Sequence, residues 1–429
     1  MKNYNNPSVS FTSYPLLYFL ITCLFFPYSK SSAFQETVNY DSYKGYIIDH
    51  SSKKPISSVT ISLLDTNIST ISNQEGEFLL KVPKKIAENT VLISHLGFKD
   101  KKILLSSLNQ KKNTIYLIPS ITELSQVNLT PSTPEEIIRA VIKKKGVNYF
   151  GDHTIMTAFY RESIKKRRTY VSLSEAVVEI YKNPYTSTKP DMIKLHRARK
   201  SADYKKLDTL AIKLQGGPST SLYIDLIKNT DFLLTSDITN YYRFSFDETT
   251  KINDRDIYVL NFEQHPYIKD LLYRGKLYVD AKTMALTKAT LSLNLSDKEK
   301  ASKMFVKKKP GSAKVYPTEV SYDIYYREKA GKWYYGYGKI DLAFKINWKK
   351  RLFNSHYKLN VELAITDWKK NQEDLFLKAS ERLKSSVVIS DEASGFSDPQ
   401  FWGDYNVIEP ERPIESVIKK IKKQLRKLN

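Results

Sequence analysis

The sequence predicts a mainly β protein: a small N-terminal β-sandwich followed by a larger antiparallel β meander or half-barrel with a few helices. Three observations carry this expectation. Short runs alternating apolar and polar residues fill positions 41 to 119, longer tyrosine-rich alternating runs follow, and helical spacing marks a stretch after Thr133 and another at the C-terminus.

The first 33 residues are set aside as a leader. Lys2 supplies a positive start, "YPLLYFLITCLFFPY" (Tyr14 to Tyr28) is apolar, and Ser31-Ser32-Ala33 offers the small residues of a cleavage site, so residues 1–33 read as a secretory signal peptide cut after Ala33. The run from Leu16 to Phe26 is shorter than the roughly 20 apolar residues a spanning helix needs. Cys23, the single cysteine, brushes against a Leu-x-x-Cys lipoprotein signal, but Leu24, Phe25 and Phe26 continue the apolar run that such a cysteine should end. Cut at Ala33, the chain keeps 429 − 33 = 396 residues, has no disulfide or thiolate chemistry, and must hold together by core burial.

The formal charge is +22, or 22 − 2 = +20 without Lys2 and Lys30. An exported chain with that excess meets anionic lipid head groups, acidic polysaccharide or acidic partner faces, so no nucleic-acid partner is expected. The cations are scattered through "IKKRR", "LHRARK", "FVKKKP" and "IKKIKKQLRKLN" with acids between them, which reads as a solvated lysine-rich surface rather than a dedicated anion site.

Seven short strands are expected in the first region, at "YKGYIID", "SSVTISLLD", "STIS", "GEFLLKV", "NTVLIS", "FKDKKILL" and "NTIYLI". In the second, Val59, Ile61 and Leu63 share one face. "TISNQEGEFLLKVP" (Thr70 to Pro83) puts two acids and a glycine between apolar runs. Asn73 to Gly76 reads as the turn of a hairpin with Gly76 at positive φ, because a calcium loop would want more oxygen ligands than Glu75 and Glu77 supply.

"GYIIDHSSKKPISSVTISLL", "STISNQEGEFLLKVP" and "LISHLGFKDKKILL" together resemble the carboxypeptidase-like regulatory domain, a transthyretin-like β-sandwich common in envelope proteins of Bacteroidetes. The matching features are Gly45, Asp49 and Pro55 before an alternating strand, Gly76 and Phe78 after the turn, and Gly97 with Phe98 later. The resemblance covers residues 41–119 and implies a module without a peptidase centre.

A linker spans residues 120–133. Thr133 can cap a helix, Pro134 suits its first turn and Glu136 completes a capping box, so a helix is expected through Ile137, Ile138, Val141 and Ile142 toward Lys145. It opens an antiparallel β-rich domain over 134–410, with Tyr160, Arg161 and Glu162 in an aromatic strand. Tyr322 to Trp348 is a hairpin turning at Lys329 to Lys332 around Gly331. "YRGKLYVDAKTMALTKATLSL" resembles the outer-membrane lipoprotein carrier type of half-barrel, which wraps a helix or a hydrophobic ligand, and the whole arrangement is similar to uncharacterised Bacteroidetes envelope proteins carrying the regulatory domain. Strands so rich in tyrosine suit a packed core or an amphipathic pocket with phenol tips in water; packing is expected. Residues 411–429 read as an amphipathic basic helix, with Ile414, Val417, Ile418, Ile421, Leu425 and Leu428 in a stripe; two destinations compete for it, docking on the fold and an anionic membrane surface, and "FWGDYNVIEP" with Pro413 before it favours docking.

No catalytic, cofactor-binding or metal-ligating residues are assigned. Six histidines lie at 50, 95, 153, 196, 265 and 356, none within five residues of another, and the isolated candidates His153, His196 and His265 read as surface or hydrogen-bonded side chains. Glu319 and Asp323 read as neighbours on a charged strand face, and "LQGGPST" (Leu214 to Thr220), lacking a following Lys-Ser/Thr, reads as a flexible lip or linker. Two functions remain open. One is a non-enzymatic exported protein of the periplasm or outer membrane, a binding or scaffolding module for a lipid, glycan or partner envelope protein. The other is an envelope hydrolase whose residues converge only in three dimensions.

Overall fold

The computed structural model describes residues 40–411 apart from 87, 121–132, 168, 203–215, 248–249, 253–254, 306–310, 350–353, 374 and 396–400. The expected signal peptide, most of the linker and the C-terminal helix beyond Glu411 lie outside the described residues. Seven strands form where the alternation placed them: β1 (Tyr40–Asp49), β2 (Thr60–Leu63), β3 (Ser69–Ile71), β4 (Glu77–Pro83), β5 (Thr90–Ser94), β6 (Lys101–Leu104) and β7 (Asn113–Leu117). They make two sheets, ordered β4-β1-β7 and β3-β2-β5-β6. Between them Ile47, Val59, Ile61, Leu63, Phe78, Leu80, Val91 and Ile93 are buried in one core.

Asn73–Gly76 is a turn with Gly76 at φ 73°, but not a hairpin. β3 belongs to one sheet and β4 to the other, so the turn is a corner carrying the chain across the sandwich. The Asn73 side chain shapes it by accepting from the backbone N–H groups of Glu75 and Glu77, each at 2.9 Å. A Cβ on Gly76 would stand 2.6 Å from the Ile47 carbonyl oxygen, so the corner needs glycine for space as well as for φ.

Helix α1 (Pro134–Lys143) starts on the predicted capping box: Thr133 Oγ1 accepts from Glu136 N, and the Glu136 carboxylate accepts from Thr133 N. The second region is one twelve-stranded sheet. Its strands are β8 (Thr154–Lys166), β9 (Thr169–Lys182), β10 (Met192–Ala202), β11 (Tyr242–Phe246), β12 (Thr250–Ile252), β13 (Arg255–Gln264), β14 (Tyr273–Asp280), β15 (Leu286–Leu293), β16 (Ala313–Lys329), β17 (Lys332–Trp348), β18 (Ser355–Lys370) and the two-residue β19 (Ser394–Gly395). The order is β11-β13-β14-β15-β16-β17-β18-β8-β9-β10-β19, with β12 on β13. Hairpins therefore make a meander from β13 to β18, and β18 then returns to pair with β8. Among the described residues the sheet is open, with β11 and β19 at its two edges. The β16–β17 hairpin turns at Ala330 and Gly331, whose φ angles of 49° and 76° suit the strand twist.

The sheet has two different faces. Met156, Ala158, Tyr160, Val178, Ile180, Leu260, Leu277, Ile324 and Leu363 pack against Ile137, Ile138 and Val141 of α1 and against Leu222, Leu226, Ile227 and Leu234. Phe159, Val177, Tyr337 and Ala364 point the other way and meet Ile71 and Leu79 of the sandwich. All described residues belong to one compact unit.

The tyrosines pack as expected, and one other expectation is corrected. The phenols of Tyr149, Tyr335 and Tyr326 are buried and donate to Leu286 O, Ser221 O and the Asp225 carboxylate at 2.8, 2.7 and 2.9 Å, so these tips are satisfied by protein instead of water. The glycine-rich stretch is no linker: helix α2 (Gly217–Tyr223) buries Gly217, Pro218, Ser221 and Leu222. Gly217 has φ 47°, and a Cβ there would come within 2.9 Å of Ile389, so the second glycine serves close packing rather than a phosphate.

Candidate functional site

Where the sandwich meets the sheet, six consecutive strands place one charged residue each at the same level. Asp323 (β16), Lys339 (β17), Glu362 (β18), Arg161 (β8), Glu175 (β9) and Arg199 (β10) are successive cross-strand partners, and their signs alternate. Cross-strand opposite charges attract, and burial strengthens them when each is also hydrogen-bonded. Arg161 and Arg199 both grip Glu175, at 2.6 and 2.7 Å, with Arg161 and Glu175 essentially inaccessible. Burial raises the Glu175 carboxyl, but the two guanidinium groups outweigh it and hold it below the usual carboxylate range. Glu362 accepts from Tyr337 OH at 2.7 Å, and burial pushes its carboxyl up against the pull of Arg161.

Residues 401–411 run between this row and the sandwich as a strap. Arg161 Nη2 donates to Ile408 O at 2.6 Å, Tyr170 OH donates to Glu411 Oε2 at 2.6 Å, and the Arg199 guanidinium stacks 4.7 Å from the Trp402 ring. On the other side Asn406 exchanges two hydrogen bonds with the Lys81 backbone, at 2.7 and 3.0 Å, Lys81 Nζ donates to Gly403 O, and Asn73 Nδ2 donates to Glu409 O at 3.0 Å. The "FWGDYNVIEP" stretch is thus attached to the fold, clamped between both parts.

Past the strap the same seam opens into a cleft of about 340 Å³. Its sandwich wall carries Ser58, Thr60, Ser62, Ser69, Ser94 and His95; its sheet wall carries Arg255, Lys288, Tyr325, Arg327 and Trp333. Arg327 lies along β17 at Gly336, where a Cβ would come within 2.6 Å of its Cγ. Its Nη1 donates to Ser69 Oγ at 2.6 Å and Ile365 O at 3.0 Å, tying sheet to sandwich, while Nε and Nη2 are buried and make no hydrogen bond of ordinary geometry, with the Tyr334 side chain as their polar neighbour. Burial lowers the guanidinium, opposed by Tyr334 beside it. The Lys288 ammonium lies 4.7 Å from the Tyr325 ring centre and 5.3 Å from that of Tyr278, and burial pulls it down against the field of Asp323. Facing it, His95 is pushed down to about 4, chiefly by burial and then by Lys288, so it is neutral at physiological pH.

The three isolated histidines do not come together. His153 precedes β8 and packs edge-on to Phe376, His196 on β10 lies 3.9 Å from Glu179, and His265 follows β13 with Nε2 3.1 Å from Thr239 O. Asp323 joins the charged row, whereas Glu319, four residues earlier in the same unbroken stretch of β16–β17 register, is exposed. Glu77 accepts from Tyr46 OH at 2.5 Å. Among the described residues no group of three or more His, Cys, Asp or Glu is placed to hold a metal ion. The charged row and Arg327 were missed; their one sequence signal is a charge set directly beside apolar or aromatic residues of a strand, as in "FYRES", "LSEAVV" and "DIYYREK".

The fold and seam define a mainly β protein in which a two-sheet module is buttressed on an open antiparallel sheet. Residues 43–129 match the CarboxypepD_reg-like domain family. No curated protein matches the chain. Among solved structures it is similar over 56% of its length to a DUF1329 family protein from Desulfovibrio piger, covering 94% of that chain at 10% identity and a TM-score of 0.24. It is similar over 53% to lipovitellin, in a structure of lipid–protein interactions, covering 27% of that chain at 8% identity and a TM-score of 0.25. It is also similar over 56% to MucB in complex with MucA(peri), covering 99% of that chain at 10% identity and a TM-score of 0.18. Likenesses this low carry no argument about function.

Proposed function

We propose that this chain is a non-enzymatic exported protein of the cell envelope, of the kind found in Bacteroidetes, in periplasm or at the outer membrane after removal of residues 1–33. The sandwich and sheet act as one binding or scaffolding platform, and a lipid, glycan or partner envelope protein is received at their seam. The observation that carries this reading is the seam itself: strap and buried ion pairs lock the two parts together, yet leave a cleft of about 340 Å³, within the range of ligand pockets, lined by aromatic and hydrogen-bonding groups.

The test is a photo-crosslinking amino acid at Asp65, on the cleft rim, compared with one at Asp231 in the segment packed on the opposite face of the sheet. In native cells the Asp65 position captures an envelope component that Asp231 does not. Equal capture at both, or none at either, sinks the seam as the binding site. Stoichiometric zinc in the purified protein would instead revive the hydrolase alternative.

A further inference from the structure

The geometry points to an oxyanion site in the seam cleft, in which Arg327 and Lys288 hold a carboxylate or phosphate group of a small ligand. This rests on the cleft being the binding site and names the chemistry it selects.

Guanidinium offers an edge formed by Nε–H and Nη2–H whose spacing matches two oxygens of a carboxylate or phosphate. In Arg327 the opposite nitrogen, Nη1, is committed to Ser69 and Ile365, which orients the group, and the two nitrogens of the fork make no hydrogen bond of ordinary geometry, the Tyr334 side chain being the neutral polar group that stands beside the guanidinium where an anion would compete with it. A buried donor without an acceptor costs free energy, more so when charged, so a fork held this way is preorganised for an anion. Both nitrogens are buried, so an anion reaches them only when side chains lining the cleft beside them move aside.

Lys288 makes the second, independent contribution. It is cross-strand partner to Tyr325, two residues before Arg327, so both cations border the same part of the cleft. Its ammonium sits over two phenol rings. The other cleft cations are already engaged: Arg255 with Glu328 at 2.6 Å, and Lys329 with Thr66 O at 2.9 Å. The lining holds four cations, Arg255, Lys288, Arg327 and Lys329, against two carboxylates, Asp65 and Glu328, which favours an anion over a cation or a neutral lipid tail. The sandwich hydroxyls opposite suit a polar body attached to that anion.

Calorimetric titration of the mature chain with inorganic phosphate, glycerol 3-phosphate and glucuronate, with glucose and chloride at equal ionic strength as controls, tests this. One-to-one binding of an oxyanion but not of the controls is expected. Phosphate without glucuronate assigns the ligand to phosphate esters, and the converse to carboxylates. Lys288→Gln and Arg327→Lys should each weaken binding by about tenfold or more, the latter because lysine keeps the charge and loses the fork. No binding beyond chloride, or wild-type affinity in a folded Lys288→Gln, overturns the proposal. Selective capture at Asp65 alongside a failed anion titration removes this site and leaves the seam as the binding region.

Discussion

Glu162 shows how one buried side chain makes stability depend on pH. It lies on the helix-packed face of β8, accepts from Tyr160 OH at 2.9 Å, and is pushed up to about 7, chiefly by burial and against the pull of Tyr160 and Ser174. With the folded value above the unfolded one, its contribution is full below the unfolded value and is lost as pH rises through about 7. The loss is on the order of 3 kcal/mol. Glu162→Gln should flatten the thermal-unfolding profile between about pH 5 and about pH 8 and raise stability at the upper end; an unchanged slope would clear Glu162 of the role. Arg161 is the contrasting case. Replacing it with Leu leaves the buried Glu175 carboxylate with Arg199 alone and frees two strap carbonyls, so chemical denaturation should show a loss of about 3 kcal/mol. Lys44→Ala breaks an equally short pair with Glu409, at 2.7 Å but with Lys44 half exposed, and should cost under about 1 kcal/mol.

Elements obey local rules where the chain has little choice. The α1 capping box and the seven sandwich strands were legible because capping and period-two alternation act within a few residues. The β16–β17 turn was legible too, but its first central residue is Ala330 at φ 49°, a conformation that costs an L-residue about 1–2 kcal/mol. Ala330→Gly should therefore stabilise the hairpin by about 1 kcal/mol, less its added unfolded-state entropy; a lower melting temperature would show that the Ala330 methyl contributes something the turn geometry does not reveal. The corner at Asn73–Gly76 marks the limit. Turn chemistry was readable, yet whether the turn joins strands of one sheet or of two depends on Ser69–Ile71 pairing with nearby β2 while Glu77–Pro83 pairs with β1, much further back in the chain.

At the scale of the molecule the strap decides cooperativity. Trp402, Val407 and Ile408 fill the space between Ile71 and Leu79 of the sandwich and Phe159 and Val177 of the sheet. Trp402→Ala with Ile408→Ala removes most of that apolar filling, and truncations of this kind cost about 2–5 kcal/mol each. Scanning calorimetry should then resolve one unfolding transition into two, the sandwich melting first because its own core is small. A single transition shifted downward would mean that the charged row and Arg327 suffice to couple the parts.

By itself the sequence determined the local architecture: strands from alternation, the α1 start from capping, the hairpin from Gly331, and the regulatory-domain likeness from the spacing of Gly45, Asp49, Pro55, Gly76 and Phe78. These features depend on neighbours along the chain. Only the tertiary structure decided that β18 returns to β8, that charges on six strands line up in one row, that residues 401–411 become a strap, and that Arg327 faces the sandwich with its fork making no hydrogen bond of ordinary geometry. The physical reason is separation: the Arg327–Ser69 contact spans 258 residues and the Arg161–Ile408 contact 247, and a charge in a strand carries no mark of the partner that will bury it.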